Sequence, residues 1–399
     1  MKKILAVLLL IAFVAPIFAE DAKVLPQGVG RFYLVPGFAW ASKTFDDDGD
    51  REDIGLGPGT VDSAKLANLA MALEYGILPW MSTGIKWIPG WVYYSDLDAS
   101  ANLGDPVATD VSDVEIGFKT QIVGPEAPVQ SDRFRTTITP GLLVPTPGPD
   151  WEEEYKNQDQ GDEYKALAAA NHSWGFGVQA TVDYVINDNF FISLFGEGRF
   201  YQAKEFKDVS LTSYGTYAMI AQTDSFTVPD DEPGLGGQTI NDISITPPSE
   251  DVKLGADFNV ELSPQFEKEV TNGVRLGASL PFDFRYTPGL SFKDDYNATA
   301  DFGDANIGGA PLTGPPFNLT DAEVAQLAAA VEQNAEDGAE AALANSDAYT
   351  VTVTPGAKVF FTALPVPLEI TLDWQVPLFG MNALVQNSVS SQIRVYFAF

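Results

Sequence analysis

The chain contains no cysteine and only one histidine, His172, among its 399 residues. Without a thiol, it has no disulfide bonds, no thiol nucleophile, no iron–sulfur cluster and no zinc–thiolate site. With one imidazole, a histidine-based metal site has too few ligands. We therefore predict that the protein uses no metal and no cofactor.

Basic residues are scarce: 23 Lys and Arg stand against 55 Asp and Glu, which gives a formal net charge of −32. Removal of Lys2 and Lys3 with a signal sequence would take this to −34. So acidic a chain is repelled by nucleic acid and by anionic membrane surfaces. We expect no nucleic-acid partner.

Long apolar runs are also missing, apart from one at the beginning of the chain. Lys2 and Lys3 precede the apolar run Ile4–Val14, and Ile17-Phe18-Ala19 forms an acceptable cleavage site before Glu20. This pattern predicts a secretory signal peptide over 1–19, cleaved near Ala19, and leaves 20–399 as the mature protein. A spanning helix needs about 20 apolar residues, and this run is shorter and ends at Pro16. Without helical spans, the protein can cross a membrane only as a closed barrel.

What the chain does have is alternation of apolar and polar side chains, the pattern of a strand with two different faces. Each alternating segment is at least ten residues long, enough for a tilted strand to cross a bilayer and longer than most soluble strands. We predict an all-β fold, a transmembrane antiparallel up-and-down barrel of about 12 strands, or 14 if 209–227 or 288–310 holds another hairpin. The twelve segments are Val29–Ala41, Lys65–Gly76, Trp80–Tyr94, Val111–Ile122, Arg133–Val144, Ser173–Ile186, Phe190–Tyr201, Val252–Leu262, Val274–Tyr286, Tyr349–Phe361, Leu368–Leu378 and Ser388–Phe399.

Short and long connections alternate along the chain. The short ones lie near 77–80, 123–132, 187–189, 263–273 and 364–367, and the long ones near 42–64, 95–110, 145–172, 202–251, 287–348 and 379–388. With an even number of strands, all short turns lie at one end, expected to be periplasmic, and all long loops extend outward. A soluble sandwich would have no reason to sort its loops in this way.

Charged residues fall on one face of these segments, and the opposite face carries none. A charge facing lipid would cost about 2–4 kcal/mol at the bilayer midplane, so this distribution defines which face is the lumen. Inward charges can brace the barrel through ion pairs or contact a solute, and both roles stay open. The predicted lumen-lining residues are Arg31, Lys86, Asp113, Glu115, Lys119, Arg133, Arg135, Glu197, Arg199, Arg275, Asp283 and Arg285.

The last strand ends on an aromatic residue, and Phe399, Phe397, Val395 and Ile393 share one face. This end resembles the terminal strand of bacterial outer-membrane β-barrels, where a final Phe serves assembly. The resemblance implies an outer-membrane location, membrane lipid around the wall and a contact of Phe399 with the assembly machinery. We also expect the terminal strand to close the barrel against Phe32–Trp40.

A barrel of twelve strands is too wide for its side chains to fill, so it encloses a channel unless it is plugged. We predict passive uptake of small solutes and no enzymatic activity. Leu25-Pro26-Gln27-Gly28-Val29-Gly30-Arg31-Phe32 weakly resembles the fatty-acid and aromatic-hydrocarbon transporter group, which implies hydrophobic solutes. That family has an N-terminal hatch of several tens of residues, whereas about ten residues precede the first strand here. A general channel, and a barrel-anchored surface protein whose acidic loops bind a partner, are the alternatives.

Three loop features invite a functional interpretation. His172 and Ser173 resemble part of the catalytic set of outer-membrane phospholipases, but adjacent strand residues face opposite sides, so we predict no catalysis. The acidic loop 46–53 could hold a divalent cation, although its spacing does not match a calcium loop, and a solvated loop is favoured. A helix is predicted over 320–345, with Thr320 and Glu323 as a capping box; it could cover the pore mouth or pack on neighbouring loops.

Overall fold

The computed structural model describes residues 21–53, 64–89, 91–95, 107–108, 111–146, 173–206, 225–228, 238–241, 243–246, 250–253, 256–289, 291–292, 299–303, 305–313, 316–344 and 347–398. Phe399, His172 and the proposed signal peptide lie outside these residues. Within them, no helix is both long and apolar enough to cross a membrane.

Twelve antiparallel strands, each paired with its neighbours in chain order, form a closed barrel. β12 pairs with β1, so that Phe32 lies opposite Val395 and Phe38 opposite Val389. The predicted twelve-strand barrel and its predicted closure are both confirmed. The strands are β1 (Val29–Ala41), β2 (Ala64–Leu78), β3 (Met81–Trp87 and Trp91–Ser95), β4 (Val114–Gly124), β5 (Phe134–Val144), β6 (Gly175–Asn187), β7 (Phe190–Tyr201), β8 (Ala256–Thr271), β9 (Val274–Ser279 and Phe282–Thr287), β10 (Ala348–Val353 and Gly356–Phe361), β11 (Leu368–Met381) and β12 (Asn387–Ala398).

Three of the strands are interrupted where the sequence pattern predicts continuous ones. The breaks in β3, β9 and β10 fall at Pro89, Pro281 and Pro355. Proline has no N–H to donate to the ladder, so the pairing lapses for a few residues and then resumes. One backbone hydrogen bond still joins β9 and β10 where both are interrupted, because Thr354 N donates to Pro281 O at 2.9 Å.

The predicted turn at 263–273 is wrong in its extent. β8 continues to Thr271, and the chain reverses at Asn272-Gly273, where Gly273 has φ of 82°. The sequence signal is weak because charged residues occur on both faces of the segment 267–269. Because the strand is longer than predicted, it includes Glu267, whose side chain reaches the lumen. At its other end β8 begins at Ala256, and Glu250–Lys253 instead pairs with Lys204–Phe206 in a loop sheet.

The two faces of the wall have opposite character. Large apolar side chains such as Phe118, Phe176 and Leu372 are exposed on the outside, whereas Glu74, Lys86 and Asp183 are buried on the inside. A soluble domain places these residue types the other way round, and a bilayer-facing barrel places them as here. The predicted alternation is therefore confirmed.

The described strands between β7 and β8, and between β9 and β10, form small separate sheets and do not join the wall. The fourteen-strand alternative finds no support there, and residues 207–224 lie outside the described part of the chain. These sheets comprise Lys204–Phe206, Glu250–Lys253 and Ser291–Phe292; Ser225–Thr227, Thr239–Asn241, Asn306–Ile307 and Ala310–Pro311; and Ser244–Thr246 with Thr299–Asp301.

The loop helix α1 (Asp321–Ala344) begins one residue after Thr320, as the capping box predicts. The Glu323 carboxylate accepts hydrogen bonds from Thr320 N and Thr320 Oγ1, both at 2.7 Å. On its inner face, Val331 joins a small apolar core with Val228, Ile240 and Leu312. The helix therefore packs on neighbouring loops, which is one of the two placements that the sequence leaves open.

Candidate functional site

The lumen contains a piece of chain that is not part of the wall. We refer to Asp21–Gly28 as the N-terminal segment; it enters from the short-turn end of the barrel. Gly28 N donates to Gly76 O at 2.9 Å, and Val29 N donates to Pro26 O at 3.1 Å, so the chain folds back sharply before β1. Ala22 and Leu25 are both buried. The segment thus lies against the inner wall.

Three hydrogen bonds hold the start of this segment to β4 and β6. Ala22 N donates to Asp183 Oδ2 at 3.0 Å, and Gln121 Nε2 donates to Ala22 O at 2.6 Å. Lys119 Nζ donates to Asp21 O at 2.8 Å. Backbone groups of a lumenal segment need such partners, because no strand pairs with them.

Across the lumen, Glu267 of β8 gathers three cations. Lys23 of the N-terminal segment lies 3.2 Å from Glu267 Oε1, and Arg275 lies 3.7 Å from Glu267 Oε2. Lys358 of β10 forms the third ion pair with Glu267. We refer to these four residues as the Glu267 cluster. Partial burial strengthens such pairs relative to surface ones, so the cluster ties the segment to the wall opposite β4 and β6.

Two cavities lie on either side of this cluster. The upper cavity, about 170 Å³, occupies the middle of the lumen and its long-loop side. The lower cavity, about 180 Å³, opens on the short-turn side and is lined by Asp21, Lys23 and Glu267 among others. Lys358 lines both cavities. Through Lys358, the Glu267 cluster borders both spaces.

One side of the lumen, the charged arc formed by β3 to β7, is filled by ion pairs. Arg199 NH1 lies 3.0 Å from Glu115 Oε1, and Lys86 Nζ lies 3.4 Å from the same oxygen. Glu197 accepts a second bond from Arg199 at 3.0 Å and one from Gln179 at 2.6 Å. One cavity on this side, lined by Glu115, Glu197 and Arg199 among others, measures about 30 Å³.

A row of glycines lies beside Arg199. Gly84, Gly117, Gly141 and Gly177 are paired in one row across β3 to β6, and Gly177 lies opposite Arg199 of β7. A Cβ on Gly177 would make an ordinary van der Waals contact with Arg199 Cγ, at 3.7 Å. The Arg199 side chain extends past β6 and β5 to Glu115 on β4.

Near the short-turn end, a second network braces the closure between β1 and its neighbours. Arg31 NH2 lies 2.6 Å from Glu74 Oε2, which also accepts a hydrogen bond from Tyr33 at 2.9 Å. On the other side, Arg394 pairs with Glu369, and Tyr396 donates to Glu369 at 3.0 Å. These contacts satisfy buried carboxylates and hold the wall together.

Most of the predicted lumen residues lie inside the barrel and are paired. Arg31, Lys86, Glu115, Lys119, Glu197 and Arg199 make the contacts above, Arg135 lies 3.8 Å from Asp183, and Arg285 lies 3.1 Å from Asp283. Arg275 lines the lower cavity. Asp113 lies just before β4, where it accepts a hydrogen bond from Thr146 N at 3.1 Å. Arg133 precedes β5 at the short-turn rim and is exposed.

Sequence reasoning misses three residues that line the lower cavity: Asp21, Lys23 and Glu267. Asp21 and Lys23 precede the first strand, where no alternation assigns them a face. Glu267 lies in a segment that looks like a turn. Two opposite charges, Asp21 and Lys23, a few residues before the first strand are a hint that the segment could enter the polar lumen.

Two of the loop features can be placed. Ser173 Oγ donates to Gln202 O at 2.8 Å, so this hydroxyl closes the β6–β7 pair, while His172 lies outside the described residues. Carboxylates of Asp46, Asp47 and Asp48 lie within 4.8 Å of one another. Asp46 Oδ1 accepts the backbone N–H groups of Asp48 and Asp50, at 3.0 and 2.8 Å, and so shapes a turn.

No family model matches the chain, and no curated protein matches it. Among solved structures, the COG4313 outer membrane channel from Pseudomonas putida F1 superposes with a TM-score of 0.53 at 13% identity, covering 96% of this chain and 100% of that one. Two monoaromatic hydrocarbon channels are more distant. CymD gives a TM-score of 0.32 at 8% identity over 94% and 89% of the two chains. The TodX deltaS2S3 mutant gives 0.34 at 11% identity over 94% and 91%. With its closed wall of twelve strands, its apolar outer surface and its likeness to the first of these structures, the chain has the fold of an outer-membrane β-barrel.

Proposed function

We propose that this protein is an outer-membrane channel for the passive passage of small solutes. The supporting observation is that two lumenal cavities share Lys358, a member of the Glu267 cluster, in their linings. Space on both sides of a polar cluster is what a permeation path requires. The wall itself is braced by separate ion pairs, so the path can widen without loss of the barrel.

The N-terminal segment supplies the constriction. It is held by three hydrogen bonds to β4 and β6 and by Lys23 on Glu267. None of these bonds belongs to the strand ladder that closes the wall. Removal of the segment should therefore enlarge the path and leave the fold intact.

Single-channel recording in planar bilayers tests this proposal. We expect the full chain to conduct ions and a variant lacking residues 21–26 to conduct more, because the lumen loses its constriction. Faster electrophoretic migration of unheated than of boiled protein serves as the control for folding. A correctly folded protein that conducts neither with nor without the segment would contradict a channel function.

Hydrophobic compounds are one possible class of solute, implied by the weak resemblance of the first strand region to hydrocarbon transporters. The upper cavity has hydroxyl and amide groups beside apolar ones in its lining, and the polar groups favour solutes that can hydrogen-bond. Uptake of toluene into proteoliposomes decides between the two. Uptake no faster than into empty vesicles would remove the hydrophobic class.

A second candidate function is a surface protein that binds a partner through its loops. The supporting observation is that the loops have an apolar core of their own, with Val331 of α1 packed against Val228 and Ile240. The helix also carries six acidic residues and no basic one, which would suit a basic partner. Absence of conductance in folded protein would favour this function.

The proposed location is the outer membrane, after cleavage near Ala19, with lipid around the apolar wall. Assembly through Phe399 is part of the same proposal, since β12 closes the barrel on β1. Normal membrane insertion of a chain that lacks Phe397 to Phe399 would contradict this role of the terminal strand.

A further inference from the structure

A belt of polar residues crosses six strands on the side of the lumen away from the charged arc. In strand register, Ser279 of β9 pairs with Gly356, Gly356 with Asp373, and Asp373 with Ser390. Ser390 pairs with Gly37 of β1, and Gly37 with Asn68 of β2. All but Gly356 line the upper cavity. We refer to these six residues as the polar belt.

The two glycines let neighbouring side chains converge. A Cβ on Gly356 would collide with Asp373 Oδ1 and with Ser279 Oγ, which come from the strands on either side. A Cβ on Gly37 would collide with Asn68 Oδ1. Oxygen atoms from three strands therefore lie over two bare positions, and they present several hydrogen-bonding groups at one level of the cavity.

Three further polar atoms of the same cavity lack a hydrogen-bond partner among the described residues. Ser263 Oγ, Thr371 Oγ1 and Gln386 Oε1 make no hydrogen bond within the described part of the chain. All three side chains are more than nine-tenths buried, and all three residues line the upper cavity. Buried polar groups almost always have a partner, so this lining is suited to a ligand or solvent that offers hydroxyl groups.

The charges of the cavity disfavour an anion. Three carboxylates line the space, those of Glu261, Asp283 and Asp373, against two cations, Arg285 and Lys358. Both cations already pair with a carboxylate, Asp283 and Glu267 respectively. An anionic solute would therefore face more carboxylates than cations in this lining, and a hydrocarbon would leave the hydroxyl and amide groups unsatisfied.

Flat sugar rings usually rest on an aromatic face, and this cavity offers none from its described lining. Phe38 is the aromatic residue of the lining; its ring is 44% exposed and stacks on Trp40 at 5.8 Å. Phe38 lies on the outer face with the other large apolar side chains. Recognition by hydrogen bonds alone suits a flexible solute.

We propose that the polar belt is a binding subsite for small neutral polyols, open-chain molecules that carry several hydroxyl groups. This inference rests on the proposed channel function and narrows its solute class. Asp373 and Ser279 would bind a hydroxyl over Gly356, and Asn68 would bind another over Gly37, with Ser390 on the strand between β11 and β1. Binding would be weak, as passage requires.

Saturation-transfer NMR on the folded full chain in detergent micelles tests the subsite, with ribitol as the probe. Glycine betaine, small and neutral overall but without hydroxyls, is the comparison solute. We expect a saturable ribitol signal and none from betaine. Loss of two hydrogen-bonding side chains in Asn68→Ala/Ser390→Ala should weaken ribitol binding about tenfold. The matched control is Thr139→Val, which removes a lumenal hydroxyl from the opposite side.

Equal signals from betaine and ribitol, or equal ribitol binding by the double variant and the unchanged chain, would overturn the subsite. If the double variant does not fold, Ser279→Ala gives the same comparison with one polar group removed. The NMR signal requires no transport. Conductance without ribitol binding would therefore remove the subsite alone, and ribitol binding without conductance would remove the channel alone.

Discussion

The two sides of the lumen share one strand register but differ in chemistry. The charged arc of β3 to β7 carries Arg199, Glu115 and Lys86 in ion pairs and leaves a cavity of about 30 Å³. The opposite side carries the polar belt and leaves about 170 Å³. Long charged side chains extend from the wall of the arc, whereas the polar belt carries shorter hydroxyl, amide and carboxylate side chains. The length of the inward side chains thus differs between the two sides.

The largest effect is expected where the two sides are bridged, at Glu267. Glu267→Gln removes the anion that holds Lys23, Lys358 and Arg275. The N-terminal segment then loses its ion pair with β8. The three cations remain in the lumen without the carboxylate that balanced part of their charge. We expect higher conductance and a shift of the reversal potential toward anion preference in a salt gradient.

Lys268→Gln is the matched control, because Lys268 is the next residue of β8 and is exposed. Its conductance and selectivity should equal those of the unchanged protein. If Glu267→Gln behaves like this control, the Glu267 cluster does not form the constriction.

A smaller effect is expected on the free energy of unfolding, which should depend more on the charged arc than on the opposite side of the lumen. Arg199→Leu leaves Glu115 and Glu197 without their shared cation, and breaking such a buried pair costs roughly 3–5 kcal/mol. Gln375→Leu, on the opposite side, removes hydrogen bonds to Thr352 and Ser388, which should cost about 1–2 kcal/mol. The free energy of unfolding in urea, measured in micelles, gives both values. Equal losses would show that the charged arc does not brace the wall more strongly than its counterpart.

The smallest effect concerns the loop helix, away from both sides of the lumen. The backbone N–H of Thr320 and then its hydroxyl hold the pKa of Glu323 below its usual range. A lowered folded-state pKa stabilises the helix start above the usual pKa of the carboxyl, and this contribution is lost as the pH falls through the folded value. The protection factors of the amides of residues 321–325, which correct for the intrinsic pH dependence of exchange, should therefore fall on acidification. Glu323→Gln should lack this pH response, whereas Glu336→Gln should retain it.

Much of the wall can be predicted because lipid on one side and a polar lumen on the other impose a strict two-residue period. The bounds of β1 and β7 follow directly from alternation, and so does the pairing of β12 with β1. The predicted lumen charges are mostly inside for the same reason. The prediction fails where alternation stops: at Pro89, Pro281 and Pro355, which interrupt ladders, and at 267–269, where charges occupy both faces.

The sequence by itself therefore determined the class of fold, the closing strand and the inward face, since each depends on local periodicity. Only the tertiary structure decided that Asp21 and Lys23 turn back into the lumen and that Arg199 reaches Glu115 across two strands. It also brought Ser279, Asp373, Ser390 and Asn68 to one level of the cavity. These contacts join residues far apart in the chain. They depend on strand stagger and barrel closure, and local sequence patterns carry no information about either.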